Sequence, residues 1–314
     1  MLLKFKEEIS NYCRRIIHKL IKEAFTLEAL LRPIYQERAS DSNTLGIILI
    51  EKIEEVSPIT DTFDSILFII TKDSPIPVFT KHYTYNDKKA ALHIITEKQI
   101  RKWFIVGANP KLVGWMINGR VIFDRNEYVE NLKKELQDFP VNGRNVRMGI
   151  EFAKLSRSYM QAKVFFEQLN YLDAYNHIVN SLHHLARLAI IEKGMHPEVM
   201  VWKQVKQLDP SIYKLYDELV SSGETLEKRL ELLFLASDFL IHSRTKDGAR
   251  HIIEVLSSKE YWTIQEIHEQ EELKNYSVDL EVFIEFLVDK GLILIEKQPT
   301  KSSHILHRYY KVKE

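Results

Sequence analysis

Asp64 opens the segment Phe63-Asp-Ser-Ile-Leu-Phe-Ile-Ile70, whose apolar run predicts a buried strand. Side chains alternate along a strand, so Asp64, Ile66, Phe68 and Ile70 share one face. A second carboxylate at i+2 would let such a strand hold two Mg²⁺ ions about 4 Å apart, the arrangement used for in-line phosphoryl displacement. Ile66 occupies that position. Asp61, Asp124 and Glu51 are the carboxylates that could make up an atypical set around Asp64. An aspartate at a strand edge that caps a turn is the plain alternative. His93, in Leu92-His-Ile-Ile95, cannot simply replace a missing carboxylate, because imidazole suits Zn²⁺, Cu or Ni and Mg²⁺ prefers oxygen.

Two further groups of side chains could do chemistry. Asp173, His177, Asn180, His184 and Arg187 recur at helical spacing beside an apolar stripe of Leu172, Tyr175, Val179, Leu182, Ala186 and Ala189. A solvated helix face is usually built of Lys and Glu, and neither occurs between Gln168 and Ile191. A cleft or interface role and a solvated face are therefore both open, and in the first the histidines near Asp and Arg could bind a phosphate or shuttle a proton. Near the C-terminus Lys297, Lys301, Arg308 and Lys311 form a basic run interleaved with His304, His307, Tyr309 and Tyr310, suited to nucleic-acid backbone contact.

The elements that must position these groups are legible as pattern. Residues 44–52 and 63–70 read as strands, and Asn86-Asp87 marks a hairpin between residues 78–85 and 89–95. Helices are predicted over 97–106 and 111–118, then a short strand ending at Asp124. Pro33 should end or kink a helix in residues 27–39. Residues 127–243 are helical almost throughout, with breaks at 139–143, 194–197, 208–210 and 221–223. A helix over 249–257, one from Thr263 to 273, one over 278–290 and two strands around residues 298–303 read as a winged helix-turn-helix. Its third helix carries Asp279, Glu281, Glu285 and Asp289, which would repel phosphate, so protein contact is preferred over base reading.

The fold class is therefore α+β: a mixed sheet with flanking helices, then an α-helical bundle, then a winged helix-turn-helix. The boundaries fall at 1–25, 26–126, 127–245 and 246–314, the first being an amphipathic helix. The 44 basic and 44 acidic residues cancel, so no global field draws the chain to nucleic acid or to an anionic membrane. The lone Cys13 excludes an intramolecular disulfide or a paired-cysteine zinc site. With no run near the ~18 apolar residues of a membrane span and no apolar signal core, the expected location is cytoplasmic.

The strand-turn-strand unit around Asp64 resembles the nucleotidyltransferase superfamily, which carries Gly-Ser after the first strand and Asp-x-Asp on the second. Here Glu51-Lys52 stands at the Gly-Ser place and Ile66 at the second Asp, while His93 falls where the superfamily has a third acid. Gly119 to Asp124 resembles the segment closing the first domain of antibiotic-modifying nucleotidyltransferases, and the helices that follow resemble the bundle of the kanamycin type. Leu31-Arg-Pro-Ile-Tyr-Gln-Glu-Arg-Ala-Ser40, Asp124-Arg-Asn-Glu-Tyr-Val129 and Tyr171-Leu-Asp-Ala-Tyr-Asn-His177 resemble nucleotidyltransferase-like proteins of the YgxA type, over about residues 27–314. The resemblance implies a nucleotidyltransferase-like domain, a bundle like a substrate-binding domain and a helix-turn-helix, with no established activity. Three functions are compatible. One is a catalytically degenerate homologue that binds a nucleotide or a protein in its old cleft, Glu51, Lys52 and His93 lining it, or self-associates through its helical domains. Another is an active enzyme using Mg²⁺ and a nucleoside triphosphate with the atypical acid set. The last is a regulator whose wing binds nucleic acid.

Overall fold

The structure, a computed structural model, describes residues 27–52, 57–139, 141–301 and 304–313. The amphipathic helix expected over residues 1–25 lies outside them. The chain forms two compact units, residues 1–102 with 111–134, and residues 103–110 with 135–314.

In the first unit α1 (Leu27–Ser40) is followed by β1 (Thr44–Glu51), β2 (Ser65–Thr71), β3 (Val78–Tyr85) and β4 (Lys88–Thr96). Next come α2 (Glu97–Val106), α3 (Pro110–Asn118) and β5 (Arg120–Asp124). The sheet is mixed, in the order β3-β4-β2-β1-β5, with only β2 and β4 parallel. β3 and β4 close on Asn86 at φ 50°, in the two-residue hairpin that Asn86-Asp87 predicted. β2 is buried along its whole length, as its unbroken apolar run requires. One sheet face packs Ile47, Leu49, Leu67, Ile69 and Leu92 against Leu31 of α1. Of the end or kink expected at Pro33, the end does not occur: α1 runs through it, with Leu31 anchoring the helix on this core, and burial outweighs the backbone hydrogen bond that proline removes.

α4 (Tyr128–Asp138) begins in the first unit and ends in the second, which continues with α5 (Val141–Glu167), α6 (Tyr171–Glu192), α7 (Val201–Leu208), α8 (Pro210–Ser221) and α9 (Leu226–Leu256). After them follow α10 (Ile264–Glu269), a 3₁₀ stretch Glu271–Asp279, α11 (Leu280–Asp289), β6 (Ile293–Pro299) and β7 (Leu306–Val312). The predicted break between residues 243 and 249 is absent, because α9 runs through it with Thr245, Gly248 and Ala249 buried. Gly248 is a packing residue here: a Cβ on it would stand 2.4 Å from the Phe152 ring. Phe152 of α5 also meets Phe283 and Phe286 of α11 at ring distances of 5.8 Å. One hydrophobic core thus runs from the bundle through the helix-turn-helix. α10 is shorter than predicted. Thr263 and Glu266 form a capping box at its start, and after residue 269 the chain tightens into the 3₁₀ stretch, with Ser277 at φ 51° before α11.

Candidate functional site

Asp64 precedes the first residue of β2 and extends the ladder on both sides. Its carbonyl accepts from Lys52 N–H at 2.8 Å, and its N–H donates to Lys89 O at 2.8 Å. The carboxylate itself accepts the Lys89 N–H, with Oδ2 at 2.8 Å. Ile66 is 2 % exposed, opposite Ile50 on one side and Ala91 on the other. Next along this face, Phe68 packs on Trp115 of α3 at 5.5 Å, and Trp115 donates through its indole N–H to Ile59 O at 2.9 Å. An indole held by a backbone hydrogen bond thus packs on this face at Phe68.

His93 stacks on the same indole at 5.0 Å, and its Nδ1 lies 3.1 Å from Thr80 Oγ1. Burial, with smaller contributions from His82 and Lys111, pushes its pKa down to about 4, so it is neutral near pH 7. Asp61, at φ 53°, pairs with Lys111, while Glu51 lies 3.8 Å from Arg120 on the neighbouring strand. Asp124 is elsewhere. It pairs with Gly46 at the far end of β1, whereas Asp64 meets Lys52, a separation of about 20 Å at roughly 3.3 Å per residue. Its two carboxylate oxygens accept Val129 N–H at 2.8 Å and Glu130 N–H at 3.2 Å, so it caps the first turn of α4. Among the described residues no group of three or more His, Cys, Asp or Glu is arranged to hold a metal. The residues around Asp64 do not fit a Mg²⁺ pair: a single carboxylate faces this position, its partner position is Ile66, and the third position is a neutral imidazole.

The polar stripe of α6 divides. Asp173 and Asn180 are exposed, and His177 stacks on Phe165 at 5.2 Å. Leu172, expected in the apolar stripe, is 78 % exposed; the buried face turns instead through Ala174, Ile178, Leu182 and Leu185. His184 and Arg187 point to Glu151 of α5, a residue that sequence reading missed. Glu151 is 1 % exposed and accepts from His184 Nδ1 at 2.9 Å and from Arg187 Nε at 2.9 Å. Arg147 approaches the same carboxylate at 3.5 Å and donates to Phe104 O at 3.1 Å. Burial alone would raise the Glu151 pKa, but the hydrogen bond from His184 and the charge of Arg187 outweigh it and hold the group below the usual carboxylate range. Burial lowers the Arg147 pKa to about 10. Gly107, at φ 68°, is required beside it, because a Cβ there would stand 1.7 Å from the guanidinium carbon. The available signal was an isolated Glu among apolar neighbours in Met148-Gly-Ile-Glu-Phe-Ala, preceded one turn earlier by an Arg.

In the wing, Arg308 donates to both Glu285 oxygens at 2.9 and 2.8 Å, and Tyr310 adds a hydrogen bond at 3.1 Å. Lys311 pairs with Glu260 at 3.1 Å. Lys297 and Lys301 are exposed and make no ion pair among the described residues. Asp279, before the third helix, is buried and paired with Arg157 of α5 at 2.5 Å. Two of the four wing cations are therefore neutralised within the domain. Among the described residues no helix is long and apolar enough to cross a membrane.

Comparison with known proteins places this architecture. A nucleotidyltransferase-like family model matches residues 27–144, a YgxA-like substrate binding domain residues 145–244, and a helix-turn-helix domain residues 250–312. The uncharacterized protein YgxA of Bacillus subtilis (strain 168) is 49 % identical over 288 residues, which are 92 % of this chain and 98 % of that protein. The crystal structure of a nucleotidyltransferase-like protein from Exiguobacterium sibiricum 255-15 superposes with a TM-score of 0.75 at 39 % identity, covering 91 % of this chain and 99 % of that one. With a nucleotidyltransferase-like mixed sheet, a helical middle and a C-terminal helix-turn-helix, the chain belongs to the nucleotidyltransferase-like proteins of the YgxA type.

Proposed function

We propose that this chain is a nucleotidyltransferase homologue without transferase chemistry, acting in the cytoplasm as a nucleotide-binding or protein-interaction module with a regulatory role. The observation that carries this reading is Ile66: the position of the second metal carboxylate is a fully packed aliphatic side chain, 2 % exposed. A two-metal displacement needs both acids on one face, and Asp64 has no carboxylate partner on its own strand face. Isothermal titration with ATP, GTP and CTP, with and without Mg²⁺, tests it. Binding that is independent of Mg²⁺, or no nucleotide binding together with capture of a protein partner, agrees with the proposal. Mg²⁺-dependent binding abolished by Asp64→Ala, together with nucleotidyl transfer, would replace it with an active enzyme using an unusual acid set.

A second reading, nucleic-acid contact through the wing, is favoured by Lys297 and Lys301, which stand exposed and unpaired by any described residue. A gel-shift affinity that does not fall with salt, or that survives replacement of both lysines by Ala, removes it.

A further inference from the structure

α5, the end of α6 and the middle of α9 enclose an open cavity of about 490 Å³ in the helical unit. Arg144, Asn145, Arg244 and Arg250 supply donors to its wall, Met148 an apolar patch, and Glu192 an acceptor. The guanidinium groups are not equivalent. Arg244 is committed to structure, with Glu192 at 2.9 Å and Asp209 at 3.5 Å. Arg250 pairs with Asp247 on the same helix, and both side chains are more than half exposed, so that pair is weak and exchangeable. Arg144 is half-buried and has no ion pair or hydrogen bond to any described residue. Its Nη1 lies close to Gly194, at φ 74°, where a Cβ would stand 3.3 Å from it. Asn145, also half-buried, makes no hydrogen bond to a described residue either.

Arg144 is thus a half-buried arginine with no partner among the described residues, set in a cavity of ligand size. Other guanidinium groups in this unit have partners: Arg147 and Arg187 meet Glu151, Arg157 meets Asp279, and Arg229 donates to Leu219 O at 2.7 Å. We propose that the cavity binds a small phosphate monoester. Arg144 takes two phosphoryl oxygens in its planar fork, and Asn145 and Arg250 donate to the remainder. The organic part lies over Met148 and offers a hydroxyl or amine to Glu192. Three donor groups on two helices suit the three terminal oxygens of a phosphate monoester better than the two of a carboxylate. Burial raises the Glu192 pKa despite the neighbouring Arg244, which marks this end of the cavity as partly shielded from water. The site lies wholly within one unit and does not depend on the reading of Asp64.

The test is calorimetric titration of the full chain with ribose 5-phosphate, AMP and orthophosphate, with ribose as the phosphate-free control. Ribose 5-phosphate is expected to bind and ribose not. Arg144→Ala should weaken ribose 5-phosphate at least about tenfold, as loss of a charge-assisted contact does. Arg144→Lys should recover part of the loss, and Asp64→Ala should bind like the parent. Circular dichroism and thermal melting of Arg144→Ala should match the parent, because no described residue loses a partner. Failure of all three phosphates to bind the parent at millimolar concentration overturns the proposal. So does binding unchanged in a folded Arg144→Ala variant. AMP binding lost in Asp64→Ala and kept in Arg144→Ala would assign the ligand to the sheet unit, and also overturns it.

Discussion

The two units treat charge in opposite ways. In the sheet unit Asp64, Asp61, Asp124 and Glu51 sit at strand ends and edges, and each is satisfied separately by a backbone amide or one cation. Between the strand ends the sheet is apolar, with Ile66, Phe68 and Ile70 at 2 % exposure or less. In the helical unit a carboxylate is fully buried and two guanidinium groups and an imidazole converge on it from α5 and α6. The sheet unit thus keeps these acids at solvent-accessible strand ends, and the buried ion network lies in the helical unit, within the residues matched by the YgxA-like substrate binding domain. Position in the fold does not by itself indicate where binding chemistry survives; the pattern of partners does.

Removing the charge of Glu151 should separate the units most sharply. Glu151→Gln leaves Arg147 and Arg187 buried without compensation, and a loss of about 3–5 kcal/mol is expected in urea unfolding. If the helical unit keeps its stability, its ion network is not what organises the bundle.

Placing a second carboxylate on the sheet tests the other side of the comparison. Ile66→Asp should destabilise by about 3 kcal/mol, through lost apolar burial and an unpaired buried acid, and should gain no Mg²⁺ affinity in calorimetry. A folded variant that binds Mg²⁺ would mean that the metal site of the sheet is one substitution away, not structurally closed.

Gly107→Ala acts on the ion network through the backbone. The added methyl meets the Arg147 guanidinium at a residue already in the left-handed region, so a loss of about 2 kcal/mol is expected. Asparagine, which tolerates positive φ, should not rescue it, since the obstruction is the Cβ itself.

Acid titration distinguishes the units by their histidines. His93 in the sheet unit, and His183 and His196 in the helical unit, are held by burial at a pKa of about 4, against 6.5 in the unfolded chain. Between those values the unfolded chain binds the extra protons, so stability falls as pH drops from about 6.5 toward 4 and is flat above 7. Each group contributes a fraction of the roughly 1.4 kcal/mol per pH unit of a fully withheld proton, because all three keep some access to solvent. With two such groups the helical unit should lose stability more steeply. Urea midpoints at pH 7, 5.5 and 4.5, followed separately in each unit, would show it. Glu151 adds to the loss only at the acid edge of this window: its folded pKa is depressed, so its stabilisation is complete above the ordinary carboxylate pKa and begins to go as pH falls through it.

The sequence showed the sheet more fully than the bundle, for a physical reason. Strand alternation is local, so the burial of Ile66 and its place on the face of Asp64 could be read from a few residues. The hairpin at Asn86 was legible on the same ground. Glu151 was not legible, because its partners His184 and Arg187 are 33 and 36 residues away and only helix packing brings them in. Gly248 shows the converse error: it carries the appearance of a helix breaker, and its role as a contact surface for Phe152 is visible only once α5 lies beside it. Pro33 fails as a stop signal because a core contact outweighs a local rule. The basic run was visible along the chain, but the pairing of Arg308 with Glu285 and of Lys311 with Glu260 joins residues 23 and 51 positions apart that only the fold brings together.

The smallest effect should come from the residue that looks most like a catalyst. Asp64→Asn keeps an oxygen that can accept from Lys89 N–H and removes only the charge, so the ladder survives and the expected cost is below about 1 kcal/mol. A metal-binding aspartate behaves differently: freed from the mutual repulsion of paired carboxylates, its Asn variant is commonly as stable as the parent or more so, and Mg²⁺ then no longer raises the melting temperature. The two cases are separated by melting parent and variant with and without Mg²⁺. If Asp64 is a ladder residue, Mg²⁺ shifts neither protein and Asp64→Asn melts slightly lower. A Mg²⁺-induced rise in the parent that Asp64→Asn abolishes would return this aspartate to metal chemistry and reverse the contrast between the two units.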